Sequence, residues 1–295
     1  YLMAFLMLVV VQIMGETNMG AQRWIDLGFM QFQPSEMMKF SLVMILAAYY
    51  DWIGPKLVSR PLYVLIPVLL ILTPTALVLM QPNLGTSLML ILAGGTVMFA
   101  AGVSLWYFGA VIGAAAGVVV GVFTLRGTPW QFLYDYQYTR IDTFLDPTAD
   151  PLGAGYNIIQ AKIALGSGGW SGKGFMQGTQ SRLNFLPEKH TDFIFTTLAE
   201  EFGFLGAFSL LALYALILGF CLFAAFRNRD RFSALLIVGV AANFFFYIAV
   251  NLSMVMGMAP VVGVPLPLLS YGGSAMLVLL VGFGLVQSAH VHRPR

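Results

Sequence analysis

Charged residues are scarce in this sequence. Lys and Arg number 15 and Asp and Glu number 13 among 295 residues, a charged fraction of 9%, whereas 59% of the residues are hydrophobic. A soluble domain carries about 25% charged residues, so the composition excludes a soluble globular protein. The net charge of +2 is not arranged as a basic stripe along one helix, which argues against a nucleic-acid-binding protein.

Cysteine is almost absent as well. Cys221 is the one cysteine, and it lies in the apolar run from Ala215 to Phe223. A single cysteine excludes a disulfide within the chain and a Cys/His metal site. Its apolar neighbours predict a buried or lipid-facing side chain rather than a nucleophile.

The few charges are unevenly distributed. Residues 61–125 and 232–292 contain none, whereas 14 of the 28 charged residues fall between Arg126 and Glu201. A bilayer core about 30 Å thick needs roughly 20 apolar residues per helix, so the uncharged stretches have room for several spans. The distribution predicts an all-α polytopic membrane protein, with residues 1–295 forming one transmembrane domain.

Hydrophobic runs, separated by polar, glycine and proline residues, predict eight membrane helices. The first run begins at Tyr1 without a basic segment before it, so we expect its start, and further spans, to lie upstream. The predicted helices cover residues 1–14, 36–50, 62–80, 84–101, 104–124, 198–226, 232–255 and 270–289.

The short loops predict the orientation in the membrane. Successive membrane helices place their connecting loops on alternate sides of the membrane, and one side then has an excess of basic residues. That side is expected to be cytoplasmic. The long insert 125–197 then faces outward, and its aromatic residues and the apolar stretch Ile158–Leu165 predict packed short helices. The residues on the cytoplasmic face are Lys56, Arg60, Arg227, Arg229, Arg231, Arg293 and Arg295, against Asp51 and Asp230.

A glycine-rich stretch, Gly166–Gly174, lies within the insert. Glycines allow backbone N–H groups to approach an anion closely, but the spacing around Lys173 is not that of a nucleotide-binding P-loop. ATP and NAD binding are therefore excluded. A tight turn at the membrane surface and a contact with pyrophosphate both remain open.

Polar residues precede the long apolar helix after the insert. Thr197 and Glu200 have the spacing of a capping box at that helix's start. Asp192 does not fit the box, so it either caps a short helix or acts as a general base at the membrane surface. His190 is expected to be a positioning or solvated residue rather than a ligand.

Two charges are predicted close to the start of a span. Pro34 and Glu36 are favourable at a helix start, and Lys39 follows Glu36 at i+3 on the same face. Lys39 is therefore expected about one turn inside, either in a functional site with Glu36 or in a structural ion pair. Farther along, the Pro- and Gly-containing segment 262–274 predicts a loop that dips back to line a polar cavity.

Together these motifs resemble the SEDS family, most closely its elongation branch, RodA, rather than its division branch, FtsW. The resemblance implies a ten-helix bundle with a large extracytoplasmic loop between helices 7 and 8, so that the eight runs here would be helices three to ten. The matching stretches, in family order, are residues 20–24 (GAQRW), 33–39 (QPSEMMK), 81–86 (QPNLGT), 146–156 (DPTADPLGAGY), 166–174 (GSGGWSGKG), 186–195 (LPEKHTDFIF) and 263–274 (GVPLPLLSYGGS).

The resemblance also implies a function. Proteins of this family are peptidoglycan glycosyltransferases of the bacterial inner membrane, which polymerise lipid II into glycan strands on its outer face during cell elongation. They work with a class B penicillin-binding protein and other membrane proteins of the elongation complex. Position by position, Asp192 matches the family's essential loop aspartate, and Glu36 and Lys39 match its charged pair.

The predicted site combines a base with binding residues. Asp192 would take the proton from the acceptor sugar's 4-hydroxyl, and the undecaprenyl pyrophosphate leaving group would be bound by basic side chains and the Gly166–Gly174 amides. Asn83 replaces the family's usual aspartate. It can hydrogen-bond substrate but cannot act as a base or a strong cation ligand, so no metal site is predicted, although an assisting divalent cation stays open. The basic candidates are Arg23, Lys39, Lys162, Lys173 and Arg182.

Two other functions fit parts of the pattern. A lipid II flippase would also carry a charged pair within a helix, but the sequence lacks the internal repeat that transporters often show. A scaffold of the elongation machinery without activity of its own is the other alternative, and a division-type enzyme resembling FtsW is the alternative within the family.

Overall fold

The structure, a computed structural model, describes residues 1–14, 16–18, 21–26, 31–128, 131, 135–147, 155–183 and 190–292. Three strands, β1 (Glu16–Asn18), β2 (Ala21–Asp26) and β3 (Gln31–Phe32), form a small antiparallel sheet in that order. The helices in this part of the chain are α1 (Leu2–Met14), α2 (Pro34–Trp52), α3 (Pro61–Met80), α4 (Leu84–Ala100), α5 (Leu105–Thr124), α6 (Asp135–Leu145), α7 (Tyr156–Ser167), α8 (Thr179–Arg182), α9 (Ile194–Arg227), α10 (Arg231–Val255) and α11 (Gly273–Val291).

The eight predicted membrane helices correspond to α1 to α5 and α9 to α11, with ends that differ by no more than four residues. Five of them, α3, α5, α9, α10 and α11, are long and apolar enough to cross a membrane. Helices α1 and α4 are shorter, with 13 and 17 residues, and α2 begins with polar residues. The chain is a multi-pass membrane protein.

Helix α3 contains two prolines, and its neighbours compensate for them. Proline lacks the N–H that would bond the carbonyl four residues earlier, which deprives the carbonyls of Tyr63 and Leu70 of a donor. The Tyr49 hydroxyl donates to the Tyr63 carbonyl at 2.9 Å, and the Tyr1 hydroxyl donates to the Leu70 carbonyl at 2.9 Å. Helices α1 and α2 are thereby tied to α3 at the points where Pro67 and Pro74 interrupt its ladder.

Helix α10 lies at the centre of the bundle. It packs against α2, α4, α9 and α11, and Ile237, Val240 and Phe244 are among its fully buried residues. In contrast, α5 lies at the edge, where Val122 is its one buried residue. Cys221 is buried in α9, which confirms the interpretation of the single cysteine as a packed apolar side chain.

The predicted outer segments carry the rest of the structure. Helices α6, α7 and α8 confirm that the insert 125–197 contains short helices. The segment between α1 and α2 contains the three strands, which the sequence did not predict because strands of 3, 6 and 2 residues are too short to show an alternating pattern.

Candidate active site

A cavity of about 430 Å³ opens at the end of the bundle where α2, α4 and α9 begin. It brings together four of the predicted site residues: Glu36, Lys39, Asn83 and Asp192. The other residues that line the cavity are Trp24, Gln31, Gln33, Thr86, Met89, Thr191, Tyr247, Gly263, Val264, Pro265, Tyr271, Gly272, Ser274 and Ala275.

Glu36 and Lys39 form a buried ion pair on one face of α2, with the Lys39 Nζ 2.7 Å from Glu36 Oε1. Tyr247 of α10 completes a ring of hydrogen bonds. Its hydroxyl donates to Glu36 Oε2 at 2.6 Å and accepts from the Lys39 Nζ. An ammonium group has three N–H donors. The ring uses two of them among the described residues, which leaves one for a group in the cavity.

Asp192 is half-buried at the cavity wall, two residues before α9 begins. Its backbone is fixed by side chains from elsewhere in the fold. The Asn251 Nδ2 donates to the Asp192 carbonyl at 2.9 Å, and the Ser270 hydroxyl donates to the Thr191 carbonyl at 2.6 Å. The Asp192 carboxyl is therefore carried by a backbone segment that α10 and the following loop hold in place.

The segment 262–274, which the sequence predicted to line a polar cavity, contributes Gly263, Val264, Pro265, Tyr271, Gly272 and Ser274 to the cavity wall. Gly85 of α4 permits the close approach, since a Cβ at this position would lie 2.6 Å from the Val262 carbonyl oxygen. Tyr214 anchors the far side of the segment by donating to the Pro267 carbonyl at 2.5 Å. Non-helical backbone at membrane depth is tolerated only where protein covers it or where it lines a cavity, and both conditions hold here.

Asn83 has a structural role that the sequence did not indicate. It is the N-cap of α4, and its side-chain oxygen accepts from the Thr86 N–H at 3.2 Å. Asparagine and aspartate are equally good N-caps. An amide at this position therefore keeps the helix start while removing a negative charge from the cavity wall.

Three of the predicted basic residues are not among those lining the cavity. Lys162 lies on α7, where its side chain packs over Gly257, and Arg182 is exposed at the end of α8. Lys173 is bound to Glu200, as described next. The side chain of Arg23 lies outside the described residues, although its backbone belongs to β2.

Glu200 is fully buried in α9 and accepts three hydrogen bonds on one oxygen. The donors are the Lys173 Nζ at 2.7 Å, the Thr179 hydroxyl at 3.0 Å and the Gln180 N–H at 3.0 Å. The prediction of a Thr197–Glu200 capping box is wrong. Helix α9 begins at Ile194, with Phe193 in the N-cap position, so Glu200 lies in the second turn and faces the insert.

The glycine-rich stretch fills a break in α9. At Gly203 the backbone is non-helical, with φ 65° and ψ −162°, which separates the N–H groups after it from the carbonyls before it. The Glu200 and Glu201 carbonyls accept instead from the N–H groups of Lys173 and Gly174, each at 3.0 Å. In the other direction, the N–H groups of Phe204 and Leu205 donate to the Gly169 and Trp170 carbonyls at 2.8 and 3.2 Å.

Glycine is needed for this close backbone contact. A Cβ on Gly168 would lie 2.0 Å from the Ala199 carbonyl oxygen, and one on Gly172 would lie 2.1 Å from that of Glu201. The stretch thus serves as a tight structural turn, the first of the two interpretations, and the Lys173 and Gly174 amides are occupied by α9. These two amides and the Lys173 ammonium are not placed to bind pyrophosphate in the cavity.

Sequence reasoning missed Tyr247, Asn251 and Ser270. Tyr247 and Asn251 lie four residues apart within an apolar span, a spacing that puts both on one helix face. Polar groups inside a span carry a cost and usually have partners, so this pair was a usable signal. Among the described residues, no group of three or more His, Cys, Asp or Glu side chains is arranged to hold a metal ion.

Comparisons with known proteins agree with this architecture. The family model for FtsW, RodA and SpoVE, described as cell cycle proteins, matches residues 1–295. The peptidoglycan glycosyltransferase MrdB of Escherichia coli K12 is 48% identical over 296 residues, covering 99% of this chain and 77% of the relative. The probable peptidoglycan glycosyltransferase FtsW of Aliivibrio salmonicida is 34% identical, covering 97% of this chain and 70% of the relative.

Solved structures match as well. A chain from a peptidoglycan synthase complex that coordinates polymerization and crosslinking superposes with a TM-score of 0.82 at 33% identity, covering 99% of this chain and 80% of that one. The rod shape determining protein RodA of Thermus thermophilus gives 0.69 at 30% identity, covering 100% and 77%. The motifs, the helical bundle and these matches together show that the chain belongs to the FtsW/RodA/SpoVE family, the SEDS family that its motifs resemble.

Proposed function

We propose that this chain is a peptidoglycan glycosyltransferase that polymerises lipid II into glycan strands during cell elongation. The observation that carries the proposal is the cavity, which joins the Asp192 carboxyl to the buried Glu36–Lys39 pair at one end of a membrane bundle. The identity to MrdB, higher than that to the FtsW relative, favours the elongation branch.

The cavity has the features of a site for acid–base chemistry on a lipid-linked sugar. Its volume of about 430 Å³ lies within the range of small-molecule sites, and polar side chains line it at the mouth of an apolar bundle. The reacting sugars and phosphates would enter this polar space, while the hydrocarbon tails would stay in the bilayer beside it.

In the proposed reaction, Asp192 is the general base. Its carboxylate takes the proton from the 4-hydroxyl of the acceptor sugar as that oxygen attacks the donor's anomeric carbon. The bond from this carbon to the pyrophosphate oxygen breaks, with inversion at the anomeric centre. A positioned base contributes about 10²- to 10⁴-fold, so stabilisation of the leaving group must supply much of the remaining acceleration.

Lys39 is the proposed partner of the leaving pyrophosphate. Its ammonium is held by Glu36 and Tyr247, which leaves one N–H without a partner among the described residues, and the side chain lines the cavity from a buried position. A charge in a water-poor site stabilises developing negative charge more than the same charge in water does. Glu36 orients the Lys39 side chain by a hydrogen bond, and Asn83 and Thr86 line the cavity, where they offer hydrogen bonds to sugar or phosphate oxygens. Arg23 remains a further candidate for pyrophosphate binding.

We further propose that the cavity opens on the periplasmic face of the bacterial inner membrane. The short loops between α2 and α3 and between α9 and α10 carry the basic excess at the opposite end of the bundle, which the positive-inside rule assigns to the cytoplasm. A class B penicillin-binding protein that cross-links the product is the proposed partner, together with other membrane proteins of the elongation complex. Its support is the similarity to a chain from a synthase complex that couples polymerization with crosslinking. A divalent cation bound with the pyrophosphate would be compatible with this scheme.

The test is polymerisation of purified lipid II by the protein together with its class B partner. The wild type should produce glycan chains, and Asp192→Asn should bind lipid II yet produce none. Asp51→Asn is the matched control, because Asp51 is an exposed carboxylate at the other end of α2. Full activity of Asp192→Asn would overturn the assignment of the base. Lipid II flipping by the wild type in vesicles without polymerisation would overturn the proposed function.

A further inference from the structure

Helix α10 contacts every helix associated with the site. It packs against α2, which carries Glu36 and Lys39, against α4, which Asn83 caps, and against α9, which begins two residues after Asp192. It is also the helix with the largest buried share among the five apolar spans. A helix in this position can set the distance between the two halves of the site.

Two polar side chains of α10 make the relevant contacts. Tyr247 binds both Glu36 and Lys39 through its hydroxyl, and the Lys39 Nζ also lies 4.2 Å from the centre of its ring. Asn251 directs its amide nitrogen to two backbone carbonyls, those of Asp192 at 2.9 Å and Val264 at 2.7 Å. One residue therefore holds the cation, and the other holds the segment that carries the base.

The spacing of the two residues is rigid. Four residues along an α-helix return to the same face with a rise of about 6 Å. Both side chains are buried, and α10 is helical without interruption from Arg231 to Val255. The offset between the Asp192 backbone and the Glu36–Lys39 pair is consequently set by the geometry of one helix.

Asn251 is better explained by this role than by packing. It is fully buried, and its side-chain oxygen has no hydrogen-bond partner among the described residues. A buried polar atom without a partner is costly, and an apolar residue would avoid that cost. What an apolar residue could not provide is the pair of N–H groups that join Asp192 to the returning loop.

We infer that Tyr247 and Asn251 are positioning residues that fix the proposed base and the proposed pyrophosphate-binding lysine at a set separation along α10. This inference rests on the proposed function. It predicts that the two residues affect different kinetic constants, because Lys39 would contact the pyrophosphate in both the bound substrate and the transition state, whereas Asp192 would act only in the chemical step.

The experiment measures kcat and KM for lipid II polymerisation with the class B partner present, per molecule of folded protein. Tyr247→Phe should raise KM and lower kcat, with kcat/KM falling about 10- to 100-fold, the usual effect of losing a hydrogen bond to a charged group. Asn251→Ala should lower kcat by at least about tenfold and leave KM within about threefold, as expected when a base is displaced. If Asn251→Ala does not fold, Asn251→Ser, which keeps one donor, replaces it and should show the same split with a smaller change.

The matched controls are Tyr49→Phe and Asn243→Ala. Tyr49→Phe, like Tyr247→Phe, removes one tyrosine hydroxyl that donates a hydrogen bond, in this case to the Tyr63 carbonyl. Tyr49 lies toward the other end of α2, away from the cavity. Asn243 is a fully buried asparagine of α10 whose amide nitrogen, among the described residues, bonds the Gly239 carbonyl of its own helix and no other group. Both controls should keep wild-type kcat and KM.

A double-mutant cycle tests whether Tyr247 acts through the ion pair. Tyr247→Phe combined with Glu36→Gln should be no slower than Glu36→Gln alone, since the two changes break the same ring. Additive losses, or Tyr247 and Asn251 variants that behave like the two controls, would overturn the inference while wild-type polymerisation leaves the proposed function standing. Absence of polymerisation by the wild type would instead count against the proposed function.

Discussion

Two glutamate–lysine pairs in the described part of the chain have the same separation and different surroundings. Glu36–Lys39 and Glu200–Lys173 both measure 2.7 Å between nitrogen and oxygen. The first joins residues one turn apart on α2, and its third member, Tyr247, also faces the cavity. The second joins α9 to a loop 27 residues earlier, and its other donors, Thr179 and Gln180, belong to that same part of the chain.

The burial of the two lysines separates their roles. The Lys39 side chain is 1% exposed and that of Glu36 is 6% exposed, whereas Lys173 is 27% exposed over a Glu200 that is fully buried. Burying a charge is costly unless it has partners, and within the described part of the chain Lys39 keeps one N–H donor unused at the wall of a cavity. Lys173 instead holds the glycine-rich turn against α9, where that turn supplies the hydrogen bonds that the helix loses at Gly203. We call Glu200, Lys173 and the turn Gly166–Gly174 the clamp. The groups that surround each ion pair, rather than the ion pair itself, distinguish the proposed active site from the clamp.

The largest expected effect tests the first pair. Lys39→Met should reduce polymerisation by about 10²- to 10³-fold or more, as expected for removing a charge that stabilises the leaving group. The single change also leaves Glu36 buried without its cation. The control is therefore the double variant Glu36→Gln with Lys39→Met, in which no charge remains to be paired. That variant should regain thermal stability in detergent and stay inactive. Recovery of activity in the double variant would show that the pair is structural.

The next effect tests the second pair. Glu200→Ala should lower the free energy of unfolding by about 3 kcal/mol, the lower end expected for breaking a buried pair whose lysine is partly solvated. Thermal unfolding of the purified protein measures this loss. Lys173→Met together with Glu200→Gln should restore much of the stability and polymerise lipid II at the wild-type rate. A stable but inactive double variant would contradict the assignment of this pair as a clamp.

A smaller effect separates the glycines of the clamp. Gly172→Ala should cost about 1–3 kcal/mol of stability, because its Cβ would meet the Glu201 carbonyl oxygen at 2.1 Å and its φ of +79° disfavours any side chain. Gly166→Ala should cost nothing measurable, since the space around it is open and its φ is not positive. Equal unfolding temperatures for the two variants would mean that the turn does not pack against α9 as described.

The smallest effect comes from an exposed ion pair that serves as a reference. Arg126 lies 2.6 Å from Asp142, and its guanidinium holds the pKa of the Asp142 carboxyl below its ordinary value. A depressed carboxyl pKa contributes stability above the unfolded-state pKa and loses it as the pH falls through the folded-state value. Asp142→Asn should therefore change thermal stability only slightly at neutral pH and leave polymerisation unaltered. A loss of activity comparable to that of Lys39→Met would contradict the placement of this pair outside the site.

Much of the fold could be predicted from the sequence, because long uncharged runs and proline or asparagine boundaries determine helices locally. The Glu36–Lys39 pair was predictable for the same reason, since three residues along a helix bring two side chains together. The motifs of the SEDS family then indicated Asp192, which no local pattern distinguished from a helix cap.

The parts that were missed depend on distant contacts. Tyr247 and Glu36 are 211 residues apart in sequence, and Asn251 and Asp192 are 59 apart. Neither contact follows from a periodic pattern. The Thr197–Glu200 capping box failed because α9 starts at Ile194, four residues before the expected boundary. The role of the glycine-rich stretch Gly166–Gly174 could not be predicted either, because it depends on contacts with the distant break in α9 at Gly203.

The most direct test of the account compares the two pairs in one assay. Lipid II polymerisation with the class B partner is measured for Glu36→Gln/Lys39→Met and for Glu200→Gln/Lys173→Met, each per molecule of folded protein. The account predicts no glycan from the first variant and wild-type glycan synthesis from the second. Comparable activity of the two variants, whether both polymerise or both fail, would contradict it.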